Sequence, residues 1–164
     1  MTKTALLLCL IASMPALAVR AQMPVTAAAD QAALLKSADP KLAKNKRLAF
    51  DFFRVVLRGR RLDQTAKFMR EDYIQHNPNV KTGMKGFLDF FAALGGPREI
   101  PAELKGLVAI QAEGEFVALS FVDERDDPSA PGKKYTTTWF DMFRIQDGLI
   151  TEHWDNDVRE PKSR

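Results

Sequence analysis

The sequence predicts a single α+β domain in which helices precede an antiparallel sheet. Three observations support this fold class. Helical periodicity is confined to the residues before Pro101, runs typical of strands fill the rest, and no internal repeat is visible. The 164 residues, 46% apolar and 27% charged, suffice for one core with an internal pocket.

Residues 1–21 are predicted to be a signal peptide. Lys3 supplies the positive charge, residues 5–12 form an apolar stretch, and small residues predict cleavage after Ala18 or Ala21. We therefore expect a periplasmic or secreted protein. Residues 22–40 are predicted as a flexible linker with at most one short helix, 41–158 as the domain, and 159–164 as a tail.

Charge and cysteine content exclude several classes of function. The formal charge of +3 includes Lys3 and Arg20 of the predicted leader, and no block of like charges appears, so nucleic acid is not an expected partner. No apolar run reaches the ~20 residues that span a bilayer, so no membrane insertion is expected. The one cysteine, Cys9, lies in the leader, which excludes disulfides, thiolate metal sites and cysteine nucleophiles from the mature chain.

Three helices are predicted first. Residues 41–58 show apolar side chains at helical spacing, and Gly59 is expected to end this helix. Asp63 is predicted to cap a short helix that reaches Met69. After an irregular segment, 71–78, Thr82 is predicted to cap a third helix, which a Gly-Gly-Pro sequence stops.

The remaining elements are strands. They are predicted over residues 104–112, 115–125, 134–146 and 149–157. Asp147-Gly148 is a strong turn signal between the last two strands and allows two registers. In a type I′ turn, Gln146 pairs with Leu149 and Asp141 lies opposite Trp154.

We favour the second register, in which Gly148 forms a bulge and Ile145 pairs with Leu149. Asp141 then lies opposite His153, and Trp139 lies opposite Asp155. This register is favoured because it places four side chains on one polar face: Trp139, Asp141, His153 and Asp155.

These side chains predict a site for acid–base chemistry. Two carboxylates and an imidazole in an aromatic-walled concavity perturb one another, as general acid–base catalysis requires, so Asp155, Asp141 and His153 are the candidate catalytic residues. The residues expected to bind substrate are Tyr73, His76, Trp139 and Phe143. The structural alternative is a hydrogen-bonded polar layer that holds the sheet together.

A metal site is the rival use of these groups. The histidines and carboxylates involved are His76, His153, Asp141 and Asp155, a set that suits zinc or iron. The sequence offers no thiolate and no pair of histidines on a helix. We therefore favour a site without metal and expect no cofactor.

Several motifs resemble those of a known family. The segments YIQHNP (73–78), GMKGF (83–87) and FDMFRIQDGLITEHWD (140–155) resemble the SnoaL-like group of the nuclear transport factor 2-like superfamily over about residues 43–157. The resemblance implies a cone-shaped α+β fold, whose curved antiparallel sheet wraps on N-terminal helices around an apolar pocket. It also implies a homodimer, for which Phe140 and Met142 on the outer face of the sheet provide apolar surface.

The resemblance also implies a range of activities. In the polyketide cyclases of the group, an aspartate on the last strand is the acid–base residue, with help from the preceding strand, and these positions correspond to Asp155 and Asp141. The cyclases carry a histidine at the second position. Related members are isomerases, dehydratases, epoxide hydrolases or binding proteins. We therefore expect an exported protein that binds a small apolar molecule and acts by acid–base catalysis on a carbonyl compound; the alternative is a non-catalytic ligand-binding or interaction module.

Overall fold

The computed structural model describes residues 22–159. The predicted signal peptide, residues 1–21, and residues 160–164 of the predicted tail lie outside the described residues. Within the described range, no helix is both long and apolar enough to cross a membrane.

Helices and a five-stranded sheet make up the described part of the chain, which confirms the predicted α+β class. The helical elements are α1 (Gln31–Leu34), α2 (Pro40–Phe52), a π-helix (Phe53–Arg58), a 3₁₀-helix (Leu62–Lys67) and α3 (Met84–Ala92). The strands are β1 (Met69–Gln75), β2 (Leu107–Glu113), β3 (Phe116–Asp126), β4 (Lys134–Gln146) and β5 (Leu149–Asp155). The order in the sheet is β1-β5-β4-β3-β2.

The helix predicted over residues 41–58 is confirmed, although its last part has the wider π-helical turn. Asp39 caps its start, because the carboxylate accepts hydrogen bonds from two backbone amides of the first turn. The helix ends at Gly59, where a Cβ would lie 2.7 Å from the carbonyl oxygen of Val55. Only glycine fits so close to the preceding turn.

Aromatic contacts fasten this helix to the inner face of the sheet. The ring of Phe52 lies 5.6 Å from that of Phe143, and the ring of Phe53 lies 4.9 Å from that of Phe121. All four side chains are buried, and each buried ring contributes on the order of 1.5–3 kcal/mol of hydrophobic free energy. The helices therefore cover one face of the sheet and leave a space between themselves and its β1–β5 edge.

One strand was missed by the sequence prediction. The segment predicted as irregular, 71–78, begins inside β1, which runs parallel to β5. Only Met69 and Tyr73 of this strand are buried, so it lacks the regular apolar alternation that identifies a strand. Its conformation depends on pairing with β5. The sheet is consequently mixed rather than purely antiparallel.

The turn between β4 and β5 differs from the one that we favoured. Asp147 and Gly148 both have positive φ, 51° and 76°, as a type I′ turn requires, and Gln146 pairs with Leu149. The predicted bulge at Gly148 is therefore wrong. The simpler turn forms because its twist matches that of the two strands.

The bulge occurs three residues later, at Thr151, which is an extra residue on β5. After it, Phe143 pairs with His153 and Asp141 pairs with Asp155. The predicted pairing of Asp141 with His153 is wrong. The shared polar face nevertheless exists, because a bulge at either position moves the same side chains to the inner face.

Two predicted helix caps have other roles. Asp63 lies within the first turn of the 3₁₀-helix instead of preceding it. The Thr82 hydroxyl donates to the Tyr73 carbonyl and accepts from the Gln75 amide, at 3.1 Å each, whereas Gly83, with φ of 83°, precedes α3. Thr82 therefore joins the approach to α3 to strand β1.

Residues 22–40 are attached to the domain, unlike the flexible linker that we predicted. The Val25 amide donates to the Thr136 hydroxyl at 2.8 Å. The buried side-chain amide of Gln31 exchanges two hydrogen bonds with the backbone of Leu104, at 2.8 and 2.9 Å. Small alanines cannot form a core of their own, but these polar contacts hold the segment against the sheet.

Candidate functional site

A cavity of about 210 Å³ lies between α3, the π-helix and the inner face of the sheet. It is at the small end of the range for ligand pockets, about 300–1,000 Å³. One wall is apolar and is lined by Phe52, Leu57, Val80, Phe87, Phe90, Phe91 and Phe143. The other end is polar or amphipathic and is lined by Tyr73, Gln75, Asn77, Trp139, Asp141, His153, Asp155 and Asp157.

Strand alternation brings the polar residues together. Tyr73 and Gln75 face the cavity from β1 because they are two residues apart, and the same spacing relates Trp139 to Asp141 on β4 and His153 to Asp155 on β5. Because β5 lies between β1 and β4 in the sheet, the three pairs form adjacent rows.

The His153 ring has a defined tautomer. Its Nδ1 lies 2.8 Å from Oε1 of Gln75, and this oxygen also accepts a hydrogen bond from the Asn77 amide at 2.9 Å. Because Oε1 only accepts, Nδ1 must carry the hydrogen. The other ring nitrogen, Nε2, lies 3.0 Å from Oδ1 of Asp141.

One proton must therefore lie between His153 and Asp141. A carboxylate and an unprotonated Nε2 are both acceptors, so a hydrogen bond between them requires either an imidazolium with a carboxylate or a neutral imidazole with a carboxylic acid. Both residues are 8% exposed. The other oxygen of Asp141 accepts from the Trp139 indole at 2.9 Å, which fixes the carboxyl group in place.

Asp155 is less enclosed than Asp141. Its Oδ2 accepts from the Asn77 side-chain amide at 2.7 Å, and its Oδ1 accepts from the Asp157 backbone amide at 3.1 Å. The Asn77 amide also reaches the carboxylate of Asp157, at 3.2 Å. Each oxygen of Asp155 keeps a lone pair that a ligand proton can use.

Tyr73 adds a hydroxyl donor to the same wall. The residue is 1% exposed, and burial raises the pKa of its phenol, with further contributions from the charges of Asp155 and Asp141. The phenol therefore stays protonated at neutral pH. In that form it can donate a hydrogen bond to an oxygen in the cavity.

The structure places most of the predicted site residues at this cavity. The candidate catalytic residues Asp141, His153 and Asp155 line it, as do the candidate binding residues Tyr73, Trp139 and Phe143. His76 does not line it. Its ring stacks on Trp154 at 4.9 Å and contacts Glu152 at 2.7 Å, because position 76 points to the opposite face from Gln75.

The sequence analysis missed Gln75 and Asn77. Both lie in the segment that was predicted to be irregular, although Tyr73, Gln75 and Asn77 recur at every second position. That alternation was the available signal. It could be used only after the segment was known to be a strand, since a loop gives the spacing no directional meaning.

A divalent metal ion is the other group that these residues could hold. One ligand atom each from Asp141, His153 and Asp155 lies within 4.8 Å of the others. The rival metal site that we considered loses His76, which faces away. Metal binding at His153 would also displace the proton between Nε2 and Asp141, so metal and proton would compete.

The fold agrees with comparisons to known proteins. Residues 49–153 match the SnoaL-like domain family. No curated protein resembles the chain at significant sequence similarity. Among solved structures, the fold is similar to that of a candidate polyketide cyclase from Acidithiobacillus ferrooxidans, with 18% identity, a TM-score of 0.51, and coverage of 73% of this chain and 89% of that one.

Two further structures have the same architecture. A candidate polyketide cyclase from Xanthomonas campestris pv. campestris is 21% identical, with a TM-score of 0.50 and coverage of 70% and 90%. An LEH-like epoxide hydrolase from M. tuberculosis is 17% identical, with a TM-score of 0.50 and coverage of 71% and 84%. At such low identities the structural similarity shows the fold alone, which is the nuclear transport factor 2-like cone. Because the family match extends over well more than half of its length, the chain belongs to the SnoaL-like domain family.

Proposed function

We propose that the cavity binds a small, largely apolar carbonyl compound and that Asp155 transfers a proton from and to it, assisted by Asp141 and His153. The observation that carries this proposal is the convergence of these three ionisable groups, within 4.8 Å, at the polar end of an apolar cavity. Ionisable groups that are removed from water and placed together are what general acid–base catalysis uses.

Asp155 is the best-placed base. Both oxygens of Asp141 are engaged, by His153 and by Trp139, and the carboxyl group is buried. Asp155 is more open to the cavity, and its hydrogen bonds to Asn77 and the Asp157 amide orient it without occupying every lone pair. We expect it to act as a carboxylate.

In the proposed step, Asp155 accepts a proton from the carbon next to the carbonyl group. The electron pair of the broken C–H bond becomes that of an enolate, and a new O–H bond forms on the carboxyl group. The enolate oxygen accepts a hydrogen bond from the Tyr73 hydroxyl, or from whichever of His153 and Asp141 carries the proton between them. Reprotonation at another carbon is an isomerisation, attack on a second carbonyl carbon is an aldol condensation, and departure of a β-hydroxyl is a dehydration.

The alternative is a non-catalytic binding module, and one observation favours it. The polar groups bind mostly to one another: His153 to Gln75 and Asp141, and Asp155 to Asn77. A polar layer that stabilises the sheet would show the same satisfied network. Only a measurement of turnover separates the two.

A proton-exchange assay tests the proposal without knowledge of the natural substrate. Small apolar ketones are incubated with the protein in D₂O, and loss of the α-proton signal is followed by ¹H NMR. We expect exchange with the parent protein and only background exchange with Asp155→Asn. An epoxide and a β-hydroxyketone are included to cover hydrolysis and dehydration. Equal rates for the parent and Asp155→Asn proteins across the panel would support the binding module instead.

Two further parts of the proposal rest on the sequence and on the outer face of the sheet. Residues 1–21 support export to the periplasm or beyond.

Phe140 is 51% exposed on the outer face, and Ile74 and Phe116 are also exposed. Because exposed apolar residues on a sheet face favour association, we propose a homodimer that buries them.

A further inference from the structure

Three arginines converge where the chain leaves the π-helix. Arg58 is the last residue of that helix, and Arg60 follows with φ of 53°, in the left-handed region that favours glycine. The carbonyl oxygen of Gly59 accepts a hydrogen bond from the Arg98 amide at 2.8 Å, which brings Arg98 to the same place. Like charges and an unfavourable backbone conformation are therefore held together by the fold.

Part of the Arg60 guanidinium has no hydrogen-bond acceptor. Its Nε and Nη1 atoms are buried and have no hydrogen-bond acceptor, while the group lies 5.1 Å from the centre of the Phe91 ring. Within residues 22–159, no carboxylate forms an ion pair with it. Burial, together with the charges of Arg98 and Arg58, lowers the pKa of Arg60.

A dipole interaction with the preceding helix does not explain this arrangement. The exposed Arg58 already provides positive charge at the carboxyl end of that helix. A second cation in the same place is repelled by the first. Buried, unpaired guanidinium donors are costly unless an acceptor binds to them, and no side chain among the described residues supplies that acceptor.

Arg58 and Arg60 line a second cavity, of about 340 Å³, that adjoins the first. The two cavities share the lining residues Leu57, Phe91, Trp139 and Asp141. The second cavity also contains the carboxylate of Asp123, but this group is paired with Arg125 at 2.7 Å. The other carboxylate that lines it, Asp141, is bound to His153 and Trp139. Among the described residues, therefore, no carboxylate of this cavity forms an ion pair with Arg58 or Arg60, whose positive charge lies next to the apolar cavity.

We propose that the ligand carries an anionic group, a carboxylate or a phosphate, that binds to Arg60 and Arg58 while its apolar part lies against Phe91 and Trp139. A guanidinium matches both anions because its planar array of donors forms two parallel hydrogen bonds with them. This inference deepens the proposed function and rests on small-molecule binding in the cavity, not on catalysis. It narrows the substrate class to amphipathic acids or phosphates.

Three probes that share one hydrocarbon body test the proposal. They are 4-phenylbutyrate, its neutral methyl ester and 3-phenylpropyl phosphate, which all carry a 3-phenylpropyl group, and their affinities are measured by calorimetry on the mature protein. We expect at least one anion to bind about 10- to 100-fold more tightly than the ester, the range for charge-assisted hydrogen bonds. The anion that binds more tightly identifies the chemical source of the charge.

Variants assign this preference to a residue. Arg60→Gln should remove most of the preference for the anion over the ester, and the double variant Arg58→Gln/Arg60→Gln should remove the rest. The matched control, Arg47→Gln, removes the same charge from an exposed position on α2 that lines neither cavity, and it should change nothing. Circular dichroism checks that Arg60→Gln is folded, and Arg60→Lys, which keeps the charge but loses the planar donor array, should give an intermediate affinity.

Three results would overturn the anion site. If the ester binds and neither anion binds more tightly, or if Arg60→Gln binds all probes like the parent protein, the anion site is wrong while small-molecule binding stands. If no probe binds, inorganic phosphate is titrated at constant ionic strength. The site is then rejected if phosphate raises the Tm of the parent protein by no more than it raises the Tm of Arg60→Gln. The α-proton exchange assay decides the proposed function separately.

Discussion

The two faces of the sheet each carry a histidine, an acid and a tryptophan, but in different surroundings. On the inner face His153 lies 3.0 Å from Asp141, and the two side chains are 10% and 11% exposed. On the outer face His76 lies 2.7 Å from Glu152, and the two side chains are 42% and 14% exposed. Trp139 donates to the inner acid, whereas Trp154 stacks on the outer histidine.

The comparison teaches that residue type and distance do not by themselves define a site. The outer pair is the shorter of the two, yet its histidine faces water, where solvent and salt weaken the interaction. Glu152 there is also shared with Arg144, at 3.3 Å. The inner pair is enclosed, and the His153 tautomer is fixed by Gln75. Enclosure and second hydrogen-bond partners distinguish the candidate site.

The largest expected difference between the faces concerns turnover. Asp155→Asn should reduce the rate of α-proton exchange by about 10²- to 10⁴-fold, because the amide is nearly isosteric but cannot accept the proton. Glu152→Gln, the same kind of change on the outer face, should leave the rate within about twofold. Rates are measured by NMR in D₂O, with circular dichroism to verify folding. Equal losses in both variants would contradict the distinction between the faces.

Stability should separate the faces next. Asp141→Ala leaves the Trp139 indole and the His153 ring without their acceptor in a buried space, so we expect a loss of about 3–5 kcal/mol in the free energy of unfolding. His76→Gln breaks an exposed pair and should cost about 0–1 kcal/mol. Urea unfolding followed by fluorescence and circular dichroism measures both. Similar losses for the two variants would show that enclosure does not strengthen the inner pair.

The enclosed phenol predicts a pH dependence. The pKa of Tyr73 is raised in the folded protein and is about 10 in the unfolded chain, so the unfolded chain releases the proton first. The free energy of unfolding should therefore fall above pH 10, by up to about 1.4 kcal/mol per pH unit from this group, and its contribution should be constant below that pH. Tyr73→Phe should lack this component. Urea unfolding at several pH values between 8 and 11.5 tests this, and identical slopes for both proteins would contradict it.

The smallest effect on the fold itself is expected on the outer face. Phe140→Asp changes an exposed side chain, so the free energy of unfolding of the monomer should change by about 0.5 kcal/mol or less. The same change places a charge in the proposed dimer interface and should shift the protein from dimer to monomer. Light scattering at micromolar concentration measures the shift. A parent protein that is already monomeric would reject the dimer.

Much of the fold was predictable because its signals are local. The helix over 41–58 shows its apolar spacing directly, and β4 was predicted with the bounds that the structure has, 134–146. Strand β1 was not predictable in the same way. Its residues are charged or polar at most positions, and its conformation comes from parallel pairing with β5, which is far away in the sequence.

The candidate site was predictable in part for the same reason. Asp141, His153 and Asp155 lie on one hairpin, so local alternation could place them on one face. Gln75 and Asn77 come from β1, and their contacts with His153 and Asp155 depend on a pairing that spans more than 70 residues. The position of the bulge was also beyond local signals, because a two-residue turn and a three-residue turn share the sequence Asp147-Gly148.

The extra residue at Thr151 shifts the alternation of inner and outer side chains along β5 by one position. If Thr151 instead took a regular place in the pairing with β4, the composition of β5 would be unchanged, yet every later side chain would exchange inside for outside. Glu152 and Trp154 would then point into the cavity, and His153 and Asp155 would face the solvent. The way in which one residue of β5 pairs with β4, as much as the identity of its neighbours, therefore decides which chemical groups line this cavity.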